Sequence, residues 1–267
     1  MALSVRQDER TDFFTSAGQS VRFRVRGDGP PLLMIHGIGA PFEMWRPLDR
    51  HLGGFTTIVV DPPGAGKSTM PDGRFRMSDF AGVLDDLLSH LRFASASVLG
   101  LSLGGMMAQE LAHRSPERVD RLVLASTGCG WNADPQTSTL FATPSRRRAR
   151  RRDARAGVQR PRSQQELSFV QLQWELRQTY RPSVRGLKLG LVAAFTWSSR
   201  SWLHTLDMPV MVLHGTDDAV LPVANARIIA ATVPDGRLEV YQDAGHLAVL
   251  QQPARTAGLL CDFARTT

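Results

Sequence analysis

Apolar and polar residues follow two distinct rhythms along the chain. In "VRFRVR" (21–26) apolar residues fall on every second position, the period of a half-exposed strand. "PLLMIHG" (31–37) and "FTTIVVD" (55–61) are unbroken apolar runs rich in branched residues, which marks strands covered on both faces. Between them "FEMWRPLDRHL" (42–52) reads as a helix. From Ser78, the expected N-cap, Phe80, Val83, Leu84, Leu87, Leu88 and Leu91 recur at helical spacing. A strand "ASVLGLS" (96–102), a helix "LGGMMAQELAHR" (103–114) and a strand "RLVLAST" (121–127) follow. After an interruption the pattern resumes with "PVMVLHG" (209–215), "VANARIIAAT" (223–232) and "RLEVYQ" (237–242), then a terminal helix around Leu259, Leu260 and Phe263. Regular strand–helix alternation predicts an α/β fold, a mainly parallel central sheet with helices on both faces.

The interruption reads as a cap inserted into the sheet domain. Residues 1–129 and 206–267 then form the core, and 130–205 the insertion, with Trp174, Phe195, Trp197 and Trp202 in a helix-like, aromatic stretch. Charge changes the picture only here. The formal net charge is +7 over 267 residues, but residues 146–162 hold nine arginines and one aspartate, a local +8 that leaves −1 for the rest. Such a self-repelling block reads as a solvated surface loop able to touch a polyanion. With the rest near neutrality, no nucleic-acid partner is expected. The first residues carry scattered charges without an apolar core, so no secretory signal is expected. No run reaches the roughly 18 apolar residues of a membrane span. Cys129 and Cys261 fit no metal or disulfide framework, and both features point to the cytoplasm.

"DPPGAGKST" (61–69) mimics a nucleotide-binding loop, which needs Gly, four residues, then Gly-Lys-Ser/Thr. Counting back from Gly66, Asp61 stands where the first glycine belongs, and Pro62 and Pro63 remove two phosphate-cradling amides. The loop is expected to be a tight turn. "GLSLGG" (100–105) carries the stronger signal. It matches G-x-S-x-G at a strand-to-helix junction, where small residues at Gly100 and Gly104 let the Ser102 hydroxyl project from a strained bend. A serine needs a base, and the base an orienting acid. "HGTDDAVLP" offers Asp217 and Asp218 after one strand, and "DAGHLAVL" offers His246 after the last. The order Ser, Asp, His suits a nucleophile-elbow hydrolase. His36 and His214, each before a glycine at a strand end, read as structural.

These motifs resemble the α/β-hydrolase family over nearly all the chain outside the arginine block. The family's acid stands four residues before a loop proline, here Pro222, which implies Asp218. "HGIGA" (36–40) resembles its His-Gly loop, implying oxyanion donors at the Ile38 and Leu103 amides; "DPPGAGKS" resembles its D-x-x-G-x-G-x-S loop. "GPPLLMIHGIGAPFEMW" and "WLHTLDMPVMVLHGTDDAVLPVANARIIAATVP" resemble intracellular poly(3-hydroxyalkanoate) depolymerases, although Leu103 stands where those have Trp. "GLSLGGMMAQELAHRSPERVDRLVLAST" is equally similar to enol-lactonases and general esterases. The resemblance implies a serine carboxylic-ester hydrolase that needs no cofactor and acts on a small or oligomeric ester. Acyl transfer with the same triad, and ligand binding without catalysis, are the alternatives.

Overall fold

The computed structural model describes residues 10–130 and 164–265. Eight strands form one sheet: β1 (Arg10–Ser16), β2 (Gln19–Arg26), β3 (Pro31–Ile35), β4 (Thr56–Val60), β5 (Ala96–Leu101), β6 (Val119–Ala125), β7 (Val210–Gly215) and β8 (Gly236–Tyr241). Their order is β1-β2-β4-β3-β5-β6-β7-β8. β2 is antiparallel to both β1 and β4, and every pairing from β4 through β8 is parallel. The described helices are α1 (Arg46–Asp49), α2 (Met77–His90), α3 (Leu103–Arg114), α4 (Gln164–Thr179), α5 (Val184–Phe195), α6 (Ala224–Thr232), α7 (Ala248–Gln251) and α8 (Pro253–Arg265).

Both faces of the sheet are covered, as the unbroken apolar runs predict. Leu33, Ile35, Ile58 and Val60 face a core built with Val83, Leu84 and Leu87 of α2 and Met107 and Leu111 of α3. Leu32, Met34 and Val59 face the opposite core, with Trp45, Leu48, Leu250 and Leu260. Each such fully buried side chain contributes about 1.5–3 kcal/mol. The alternation along a strand thus separates two layers, and it leaves the carboxyl ends of the parallel strands along one edge for chemistry.

Four local expectations need correction. "VRFRVR" is not half-exposed: Val21 and Phe23 enter one core, while Arg22 and Arg24 on the other face are also buried. Arg22 pairs with Glu43 at 2.5 Å and with Asp61 at 3.1 Å, and Arg24 pairs with Asp49. The segment that supplies Glu43 and Asp49 lies over the arginines, and it is not one helix. A 3₁₀ turn, Phe42–Trp45, precedes α1, because Pro47 has no N–H to return to the carbonyl of Glu43. α2 starts two residues earlier than an N-cap at Ser78 would place it. Arg76 is its N-cap, and the Asp79 carboxylate reaches back to the Arg76 N–H at 2.6 Å. Finally, β1 adds an antiparallel edge that the pattern reading left out.

Between β6 and β7, Trp174 lies in α4 and Phe195 ends α5. Trp197 and Trp202 lie outside the helices and tie this segment to α3. The Trp197 indole N–H donates to Glu110 Oε2 at 2.8 Å, and Trp202 stacks on His113 with ring centroids 4.1 Å apart. The arginine-rich stretch 146–162 lies outside the described residues. Among the described residues no helix is long and apolar enough to cross a membrane.

Candidate active site

Ser102 joins β5 to α3 in a backbone conformation that L residues rarely adopt, φ +57° and ψ −119°. Such strain costs of order 1–3 kcal/mol and persists only where the surroundings impose it. Here Ser102 N–H donates to Ala125 O at 2.9 Å, and Thr127 Oγ1 donates to Ser102 O at 2.7 Å, which pins the bend to β6. The two expected glycines are needed for close approach. A Cβ on Gly100 would stand 2.6 Å from Gly105 Cα, and one on Gly104 2.7 Å from His36 O. Ser102 is therefore lifted from the sheet edge by geometry that its neighbours' lack of side chains permits.

Asp218 and His246 meet directly. His246 Nδ1 lies 2.8 Å from Asp218 Oδ2, so this nitrogen carries the proton and donates to the carboxylate. The other oxygen, Oδ1, accepts from the Val220 and Leu221 amides at 2.8 and 2.9 Å. Burial pushes the Asp218 carboxyl up, but the His246 ring and the hydrogen bonds from His214 and His246 outweigh it and hold Asp218 below the ordinary carboxylate range. Asp217, the other candidate from sequence, is exposed, and its amide donates to Ala244 O. The geometry joins Asp218, not Asp217, to His246.

Ser102 sits on the same edge, beside the loop that follows β3. A Cβ on Gly37 would stand 3.1 Å from Ser102 Cβ. Among the described residues no hydrogen bond joins the Ser102 hydroxyl to His246. Leu103 is the first residue of α3, so its N–H has no partner within the helix, and the helix N-terminus faces negative charge favourably. Ile38 and Leu103 come together: a Cβ on Gly190 of α5 would touch Leu103 Cδ2 at 2.9 Å and Ile38 Cγ1 at 3.0 Å. His36, next to this loop, accepts the Gly37 N–H at its Nδ1 at 2.7 Å. Burial, reinforced by the charge of His246, lowers His36 to about 3 and keeps it uncharged at neutral pH.

Ile38, Phe80, Leu103 and Met107, with Gly186 and Gly190 of α5, line a cavity of about 20 Å³. That is room for roughly one water. α5 lies low over the site through its two glycines. Their spacing of four, Gly186 and Gly190, is the signal of this close approach in the sequence. The "DPPGAGKS" loop closes around its own acid instead of a phosphate. Asp61 accepts the Phe42 N–H at 2.7 Å and the Lys67 N–H at 2.9 Å, and Ser68 Oγ donates to Asp61 O at 2.6 Å. Nothing in the sequence pairs Glu43 with Tyr180, whose hydroxyl donates to Glu43 Oε1 at 2.6 Å across the chain.

A family model described as the alpha/beta hydrolase fold matches residues 30–253. The chain belongs to the α/β-hydrolase fold family. It is 33% identical over 257 residues to a poly(3-hydroxyalkanoate) depolymerase of Ectopseudomonas oleovorans, covering 92% of this chain and 89% of that one. It is 30% identical to a pimeloyl-[acyl-carrier protein] methyl ester esterase of Aromatoleum aromaticum, over 88% of this chain and 98% of the relative. Among solved structures, the enol-lactonase from Burkholderia xenovorans LB400 superimposes with a TM-score of 0.80 at 21% identity, covering 96% of this chain and all of that one (100%). That likeness carries the fold. The predicted mainly parallel sheet with helices on both faces, and the resemblance to this family, both hold.

Proposed function

We propose that this α/β hydrolase is a serine carboxylic-ester hydrolase working through an acyl-enzyme. The observation that carries the reading is the strained Ser102 bend on the sheet edge that also holds the His246–Asp218 pair. His246 Nε2 takes the Ser102 proton as the hydroxyl oxygen attacks the acyl carbonyl. Asp218 orients the ring and stabilises the imidazolium that forms. The Ile38 and Leu103 amides receive the oxyanion, where losing one such donor costs about 3 kcal/mol of barrier. The imidazolium then protonates the leaving alcohol, and water, deprotonated by the same ring, releases the acid. Closing the Ser102–His246 hydrogen bond belongs to the substrate complex, since such contacts tighten there.

We further propose residues 130–205 as a cap over this core, with α5 as its descending wall. That water-sized cavity, which His36 also lines, does not itself seat an acyl chain; its walls, apolar apart from the uncharged His36, favour an apolar acyl group against them over a carboxylate. Sequence similarity to the Ectopseudomonas depolymerase supports a hydroxyalkanoate polyester or its oligomers as substrate. The test is the hydrolysis rate of p-nitrophenyl esters from two to twelve acyl carbons, with Ser102→Ala alongside. Loss of about 10⁴-fold or more in kcat in the variant is expected, with an optimum near eight carbons. An optimum at two would move the substrate to small esters, and equal rates in both proteins would remove the mechanism.

A further inference from the structure

We infer that His214 is a positioning residue of this site, bracing the same Asp218 oxygen that orients His246. The inference rests on the triad reading above. His214 is the penultimate residue of β7, four residues before Asp218, and is fully buried. Its Nε2 lies 2.9 Å from Leu221 O and 3.2 Å from Asp218 Oδ2. Both neighbours are acceptors only, so this nitrogen carries the proton and divides it between them. Nδ1 is buried without a partner among the described residues, which fixes the ring as the tautomer protonated at Nε2.

Asp218 is thereby clamped on both oxygens. Two amides fix Oδ1, and two imidazoles converge on Oδ2. With His214 present, the charge on Oδ2 is shared, and the carboxylate cannot rotate that oxygen away from His246. Without it, the buried oxygen's charge concentrates on the single N–H of His246. The couple would then hold its proton more tightly, and would surrender it more slowly to the leaving alcohol. The Leu221 contact adds a second function: it fastens the turn that carries Asp218 to the end of β7.

The test uses His214→Met, which keeps bulk and removes the donor, and His214→Gln, whose amide nitrogen reaches to the place of Nε2. In the resting protein, the low-field proton NMR resonance of His246 Nδ1–H reports the bond to Asp218 without any substrate. It should move downfield in the Met variant and return toward its wild-type position in the Gln variant. On an ester substrate, kcat should fall about tenfold in the Met variant, with KM little changed, and recover in the Gln variant. An unmoved resonance in the Met variant, or Gln behaving as Met does, overturns the inference. If the Met variant does not fold, Gln is compared with Asn, whose shorter amide cannot reach Oδ2; equal behaviour of those two is the contradicting result. Wild-type protein without Ser102-dependent hydrolysis would overturn the proposed function, while the resonance would still decide the role of His214.

Discussion

Asp61 and Asp218 are both buried just beyond the carboxyl end of a core strand, and each accepts two backbone N–H groups. Their carboxyls are nevertheless driven in opposite directions. Burial raises Asp61 to about 6 against the pull of Arg22 and its two amides, with Glu43 adding to the rise. Burial also acts on Asp218, but there the two imidazoles prevail. The difference lies in the sharing of the partner charge. Arg22 divides itself between Glu43 and Asp61, whereas His214 and His246 both serve Asp218. The same residue type at corresponding places in the sheet is thus a loop anchor in one case and, on the proposed mechanism, a permanently ionised orienting acid in the other.

The comparison can be broken most decisively at Asp218. Asp218→Asn should lower kcat by about 10³- to 10⁴-fold, because an amide can favour the wrong imidazole tautomer. Asp61→Asn should leave kcat within a few fold; a loss equal to that of Asp218→Asn would show that the two sites are not distinct in role. Steady-state kinetics on one p-nitrophenyl ester decides both.

A smaller effect sharpens the electrostatic half. Burial raises the Asp61 carboxyl to about 6, above its ordinary value of 3.8, so protonation favours the folded state. Its contribution to stability therefore grows as pH falls through 6 and is complete below about 3.8. Asp218 runs the other way: its contribution is present above 3.8 and is lost as pH falls below it. Between pH 8 and pH 5 the Asp61 effect is on the order of 1 kcal/mol in favour of the lower pH. Asp61→Asn should remove that increment from denaturant-derived stabilities measured at the two values; an unchanged difference would count against the assignment. Smaller again, Tyr180→Phe removes the link between Glu43 and the stretch joining α4 to α5, and should cost about 1 kcal/mol in the same assay. No loss would mean that this link adds nothing to the stability of the Arg22–Glu43–Asp61 group.

The contrast also explains what the sequence could and could not reveal. Strands buried on both faces announce themselves as unbroken apolar runs, so β3, β4, β5 and β7 were legible, and with them the strand ends that carry Ser102 and Asp218; His246 follows the more exposed β8. Gly100 and Gly104 were legible because a strained bend excludes side chains at those positions. Arg22 and Arg24 were misread as solvent-facing, since their partners Glu43, Asp49 and Asp61 lie tens of residues away and no periodicity links them. The break before α1 was readable from Pro47, whose missing N–H outweighs the apolar pattern around it. His214 stood in view four residues before Asp218, but its contact with Oδ2 depends on how the turn folds back on β7, which spacing alone does not encode.

The most direct test of the proposed nucleophile is covalent. The protein is treated with a fluorophosphonate, which reacts with serines activated by a neighbouring base, and its peptides are mapped by mass spectrometry. The account expects a single adduct on the peptide containing Ser102, absent in Ser102→Ala and strongly slowed in Asp218→Asn. Ester hydrolysis that persists with Ser102 unlabelled, or an adduct formed equally fast on another serine, would contradict it.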